Sequence, residues 1–190
     1  MDCRLDSLCR QMNGRLESQC KDTKNKSMAE KKNAISYESI MKDLKARKFA
    51  PVYVLMGDEP FYIDKICDYI AENVLQPEER DFNQTVLFGA DTTAVQVVDQ
   101  CKGYPMMAEF RVVIVKEAQN LKSLDALEKY LEKPVKSTVL VICNKNGSID
   151  RRKKFIPRAE QVGVVFESKK LYDRQLPGFI ETYLKARKAT

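Results

Sequence analysis

The chain has 190 residues, 44% of them hydrophobic and 32% charged, with a formal net charge of +6. That balance suits a globular chain long enough to bury a core. No apolar run nears the roughly 20 residues a membrane helix needs and no apolar leader opens the chain, so a cytoplasmic setting is expected. With no histidine, and six cysteines scattered without a CxxC pair, zinc sites and histidine acid–base catalysis lose their usual residues; reduced thiols and no cofactor or metal are expected.

Residues 1–34 are polar, contain the charged run "KDTKNKSMAEKKNA" and hold Cys3, Cys9 and Cys20. Leu5, Leu8, Cys9, Met12 and Leu16 can share a helix face, but so few apolar residues favour a loose extension. From Ser36 the pattern sharpens. "SYESIMKDLKAR" predicts a helix capped by Ser36, with Glu38 in its first turn and Ile40, Met41 and Leu44 on one face. "VYVLMG" reads as a strand ended by Gly57. "PFYIDKICDYIAENVL" reads as a helix with Pro60 in its first turn and Ile63, Ile66, Cys67 and Ile70 at helical spacing.

"QTVLFG" predicts a second strand, and "TTAVQVVDQCKG" a helix with Ala94, Val97, Val98 and Cys101 inward. "RVVIVKE" is a third strand, "SLDALEKYLEK" a helix, "STVLVICN" a fourth strand and "GVVFES" a fifth. "DRRKKFIPRAEQ" reads as a helix that Pro157 would break or kink, and "YDRQLPGFIETYLKARK" as a closing helix. Strands alternate with helices, and most strands are continuously apolar, as strands covered on both faces are. The expected fold is therefore α/β: a three-layer, doubly wound parallel sheet over about residues 50–168.

In such a fold the loop after the first strand is the natural phosphate site. A phosphate-binding P-loop reads GxxxxGK[ST], but counting on from Gly57 reaches Tyr62, Ile63 and Asp64 at the last three positions. Asp58 and Glu59 put two carboxylates where a triphosphate would sit; as acids at a helix start they are ordinary stabilising residues. The third strand ends in Lys116-Glu117 where ATPases of the AAA+ type carry Asp-Glu, and a lysine cannot ligate Mg²⁺. The expectation is a P-loop NTPase/AAA+-like scaffold whose nucleotide site, at Gly57, Asp58, Glu59, Lys116 and Glu117, is degenerate.

"FAPVYVLMGDEPFYIDKI", "CKGYPMMAEFRVVIVKEAQ", "TVLVI" and "DRRKKF", in this order and spacing, resemble the delta subunit of the bacterial DNA polymerase III clamp loader. The resemblance runs from about Ser36 to the C-terminus. It implies an AAA+-like subunit that does not hydrolyse ATP, binds the ring-shaped sliding clamp (the beta subunit) and helps open it for loading on DNA during replication. It also implies other clamp-loader subunits as partners, with DNA contacted weakly or indirectly. In that family, hydrophobic residues after the helix preceding the third strand enter a pocket on the clamp; here they fall on Met106 and Met107, with Tyr104 just before. Arg111 matches a frequent arginine at the strand start and is given no binding role. Family members continue through a helical lid and collar, so residues 169–190 are expected to be the start of a truncated lid, after an AAA+-like domain at 35–168.

Each motif also has an ordinary reading. Methionine is common core filler, and of two adjacent methionines one would be expected inside. "DRRKKF" can be a solvated helix face, and +6 is too small a charge to diagnose nucleic-acid binding. Cys101 and Cys143 fall on apolar faces. Two other functional classes stand beside clamp binding: an active ATPase or kinase, opposed by the missing lysine and by Lys116, and a DNA-binding or repair adaptor on a degenerate AAA+-like scaffold.

Overall fold

The computed structural model of the chain describes residues 35–151 and 154–170. The expectations for residues 1–34, for Arg152 and Lys153, and for the closing helix from residue 172 lie outside that range.

The first helix, α1 (Tyr37–Lys45), is capped by Ser36, whose hydroxyl accepts from the Ser39 amide, and it buries Ile40 and Leu44. Strand β1 (Val52–Gly57) leads through Glu59 and Pro60 into α2 (Pro60–Asn73), which buries Ile63, Ile66, Cys67 and Ile70. The helix stops short of Val74 and Leu75, and Pro77 soon follows, holding Gln76 in the extended conformation that precedes proline. A short helix that the apolar pattern did not signal, α3 (Pro77–Asn83), comes next and feeds strand β2 (Gln84–Phe88). A capping box of Thr93 and Gln96 starts α4 (Ala94–Lys102), whose inward residues are Ala94, Val97, Val98 and Cys101 as expected.

Strand β3 (Arg111–Lys116) is followed by a single 3₁₀ turn, Ala118–Asn120. Helix α5 (Asp125–Tyr130) is shorter than its sequence suggested, because Pro134 lies just beyond and its chain must turn into β4 (Thr138–Lys145). The last described helix, α6 (Phe155–Val162), begins late enough to place Pro157 in its first turn. An amide there has no partner inside the helix, so the expected break does not occur. Strand β5 (Val164–Ser168) closes the described region.

The five strands form one sheet in the order β2-β3-β4-β1-β5, and every neighbouring pair is parallel. Alternate side chains serve two cores. Val52, Val54, Met56, Val113, Val115, Leu140 and Ile142 pack with α4, α5 and α6, whereas Tyr53, Leu55, Val112, Ile114, Val139 and Val141 pack with α1 and α2. This is the three-layer arrangement expected of strands apolar at every position. Edge strand β2 departs from it, leaving Val86 and Phe88 exposed because only β3 flanks it. Cys67, Cys101 and Cys143 are buried free thiols. Burial pushes the Cys101 thiol up to about 12, and the Cys143 thiol is raised by its hydrogen bond with Cys67 and by burial, so both stay protonated core groups. No helix among the described residues is long and apolar enough to cross a membrane.

Candidate functional site

Two sets of residues singled out by sequence lie at opposite ends of the sheet. Gly57, Asp58 and Glu59 follow β1, and Lys116 and Glu117 end β3, all at the C-terminal edge. Tyr104, Met106 and Met107 precede β3 at the N-terminal edge. Six strand residues separate the two sets, about 20 Å at 3.3 Å per residue.

At the C-terminal edge the donors that a phosphate would need are taken. The Gly57 amide donates to the Gly147 carbonyl at 3.0 Å, and the Asp58 amide to the Ser168 carbonyl at 3.1 Å. Gly57 has φ +132°, and a Cβ on it would fall 2.0 Å from the Ser168 carbonyl oxygen, so the end of β5 fills the space beside the loop. Helix α2 opens with Pro60, which has no amide hydrogen, and the next amide, of Phe61, donates to Glu59 Oε1 at 3.2 Å. Glu59 thus caps its own helix and supplies the negative charge that the helix dipole favours there.

The residues at the positions where a P-loop protein would hold its metal are engaged as well. Asp64, standing where a P-loop has its Mg²⁺-binding hydroxyl, lies 2.6 Å from Lys145 Nζ at the end of β4. That hydrogen bond raises the Lys145 pKa above its ordinary value, so a fixed ammonium holds the carboxylate. The sequence reading missed Lys145, because nothing local in it points to Asp64. Glu117 takes a left-handed conformation, φ 55°, to start the 3₁₀ turn, and accepts from Asn120 Nδ2 at 3.3 Å. Among the described residues, no three of His, Cys, Asp and Glu gather closely enough to hold a metal ion. The cleft beside Gly57, about 330 Å³, is lined by Asp58 and Glu167 as well as Lys169 and Lys170, a mixture of charges poorly suited to a triphosphate.

The N-terminal edge is built differently: its backbone is pinned and its side chains are free. Tyr104 is 85% exposed, Met106 60% and Met107 101%. The expectation that one methionine would lie inside therefore fails; both are displayed. The reason lies in the anchors around them. Thr138, fully buried, donates its hydroxyl to the Cys101 carbonyl at 2.9 Å. Arg111 Nη2 donates to Gln100 Oε1 at 2.7 Å, and its guanidinium lies so close over Gly103 that a Cβ there would meet it at 2.7 Å. These contacts hold the end of α4. Beyond the loop, Ala108 and Phe110 return to the core, with the Phe110 ring edge-on to Phe49 at 5.6 Å. Between those anchors the loop has only short chain to dispose of, and Met107 adopts φ 54°, a left-handed conformation sparsely populated by methionine.

Two further residues at this edge escaped sequence reasoning. Asn83, at the end of α3, is fully buried and bonds both polar groups of the Met106 backbone. Phe82, its neighbour, is 66% exposed. Only the position of α3 at the start of β2 reveals either.

The basic run offers less. Arg151 Nη2, within the run, lies 2.6 Å from Glu167, and Arg158, beyond it on α6, lies 3.2 Å from Glu128 and 2.8 Å from Glu132, so these guanidiniums are already engaged by carboxylates.

Residues 53–169 match the family described as "DNA polymerase III, delta subunit". DNA polymerase III subunit delta of Bacillus subtilis is 27% identical over 161 residues, which cover 80% of this chain and 46% of that protein. The structure of the Bacillus subtilis DNA clamp loader delta protein superposes with a TM-score of 0.70 at 26% identity, over 80% of this chain and 48% of its own. A Thermotoga maritima DNA polymerase III gamma subunit-related protein gives 0.47 at 18% identity, over 78% and 50%, below the level that fixes a shared fold. The chain spans about half the length of these relatives. With the match to the family covering well over half of its residues, this chain belongs to the DNA polymerase III delta subunit family.

Proposed function

We propose that the chain is the clamp-binding part of a clamp-loader delta subunit: it engages the DNA polymerase sliding clamp through Tyr104, Met106 and Met107, helps open the ring for loading during replication, and hydrolyses no ATP. The observation that carries the reading is the display of two adjacent methionines on a pinned loop. Exposed apolar side chains on rigid backbone lose little entropy on docking, and thioethers adapt to a pocket that must be engaged and then released. Membership of the delta family supports the choice of the clamp as partner, and of other loader subunits as partners of a full-length protein in the cytoplasm.

The C-terminal edge supports the absence of ATP hydrolysis. Gly57, Asp58, Glu59, Lys116 and Glu117 are read as a degenerate nucleotide site: its amides are satisfied within the protein, and Lys145 occupies Asp64. DNA contact is secondary in this reading, since Arg151 and Arg158 are held by carboxylates. The test is a binding titration of the 190-residue chain against the sliding clamp, beside one against duplex DNA over a range of salt. Saturable clamp binding supports the proposal. Steeply salt-dependent DNA binding without clamp affinity would favour a DNA-binding adaptor instead.

A further inference from the structure

We infer that Asn83 is the positioning residue of the methionine contact, an inference that rests on the clamp-binding reading above. The Met106 amide donates to Asn83 Oδ1 at 2.6 Å, and Asn83 Nδ2 donates to the Met106 carbonyl at 2.9 Å and to the Glu79 carbonyl at 3.0 Å. Two antiparallel amide bonds to one residue fix both its place and its rotation, which a single bond would leave free. The third bond ties the same side chain back into α3, so the loop is referenced to that helix and not only to its own flanking chain. Asn83 is fully buried, where an amide left unsatisfied is costly and a satisfied one is rigid.

The geometry sets Asn83 between two exposed residues of different segments. Phe82 precedes it on α3, and Met107 follows the residue it clasps. Met107 needs such support. Its left-handed backbone persists only where the surrounding structure over-determines it, and the Met106 clasp is a contact from outside the loop on the residue directly before it. Asn83 touches no partner in this arrangement. It acts by holding the Met106 peptide groups so that the next side chain projects into solvent.

A role confined to stability would predict otherwise. If Asn83 only satisfied a buried backbone, its loss would lower affinity to the same extent whether or not the two methionine side chains were present. If it positions the plug, its effect must pass through Met106 and Met107. The experiment is a double-mutant cycle on the 190-residue chain, with clamp affinity measured for the unsubstituted chain, Asn83→Ala, the pair Met106→Ala with Met107→Ala, and all three substitutions together. Asn83→Ala is expected to weaken binding about tenfold alone and less than about twofold in the background lacking both methionines, as coupled sites do. Equal losses in both backgrounds, or no loss in the first, overturn the inference while leaving clamp binding intact. No clamp binding by the unsubstituted chain overturns the functional reading, and the inference falls with it.

Should Asn83→Ala fail to fold, amide exchange in the unsubstituted chain decides. The Met106 amide is expected to be protected well above an exposed loop amide. Exchange at the rate of free loop would show that no clasp holds it in solution, and the positioning role would be rejected.

Discussion

Replacing both methionines, Met106→Ser with Met107→Ser, should separate binding from folding. Fully burying a methionine side chain is worth about 1.5–3 kcal/mol. Met107 is entirely exposed and Met106 60% exposed, so on docking Met107 can gain nearly that whole amount and Met106 a little over half. Together they carry about 2–5 kcal/mol, which at 1.4 kcal/mol per decade is a loss of at least about thirtyfold in clamp affinity. The free chain, by contrast, should scarcely notice. Neither side chain contributes to a core cluster, and the Asn83 side chain clasps Met106 through that residue's backbone atoms alone, so the stability change should stay within about 0.5 kcal/mol. Calorimetric titration against the clamp measures the first quantity and urea unfolding the second. A double variant that unfolds at the unsubstituted midpoint and binds within twofold of the unsubstituted chain would falsify the assignment of these residues to the contact.

Other expectations concern the opposite edge and the core. Gly57→Ala should lower stability by about 2 kcal/mol or more in urea unfolding, since its Cβ would strike the Ser168 carbonyl and its φ of +132° is closed to alanine; a loss below about 0.5 kcal/mol would refute the close approach. ATP with Mg²⁺ should give no saturable heat when titrated into the chain, and a stoichiometric isotherm would overturn the account of the satisfied Gly57, Asp58 and Phe61 amides. Burial pushes both Cys101 and Tyr130 up to about 12, from ordinary values of 9.0 and 10.0. Each therefore holds its proton more tightly in the folded chain, and the stability this represents is complete below pH 9 and lost as pH rises from 9 towards 12. Unfolding midpoints measured from pH 8 to 11 should fall for the unsubstituted chain and fall less steeply for Cys101→Ala; parallel slopes would contradict the burial of that thiol.

Local chemistry made much of this protein readable before any coordinates. Continuous apolar runs announced strands covered on both faces, Ser36 marked a helix start through a bond reaching three residues along the chain, and Pro60 marked another through its fixed backbone angle. Lys116, and Asp64 in place of a P-loop hydroxyl, pointed to a nucleotide site without its chemistry because a metal or a phosphate needs particular residue types at particular steps. Helix α3 was invisible by the same logic: it is seven residues long, mostly charged, and buries only Asn83, so no apolar period marks it.

What lay beyond local reading is what depends on neighbours distant in sequence. Sheet order alone brings β4 between β1 and β3, and with it Lys145 to Asp64. The two methionines looked like filler because adjacent side chains usually part company; the bonds from Asn83, 23 residues away, fix the backbone that displays them both. Identity and spacing determine which chemistry a segment can support, since caps and propensities act within a turn or two. Exposure and pairing are settled only when strands from separate parts of the chain take their places in one sheet.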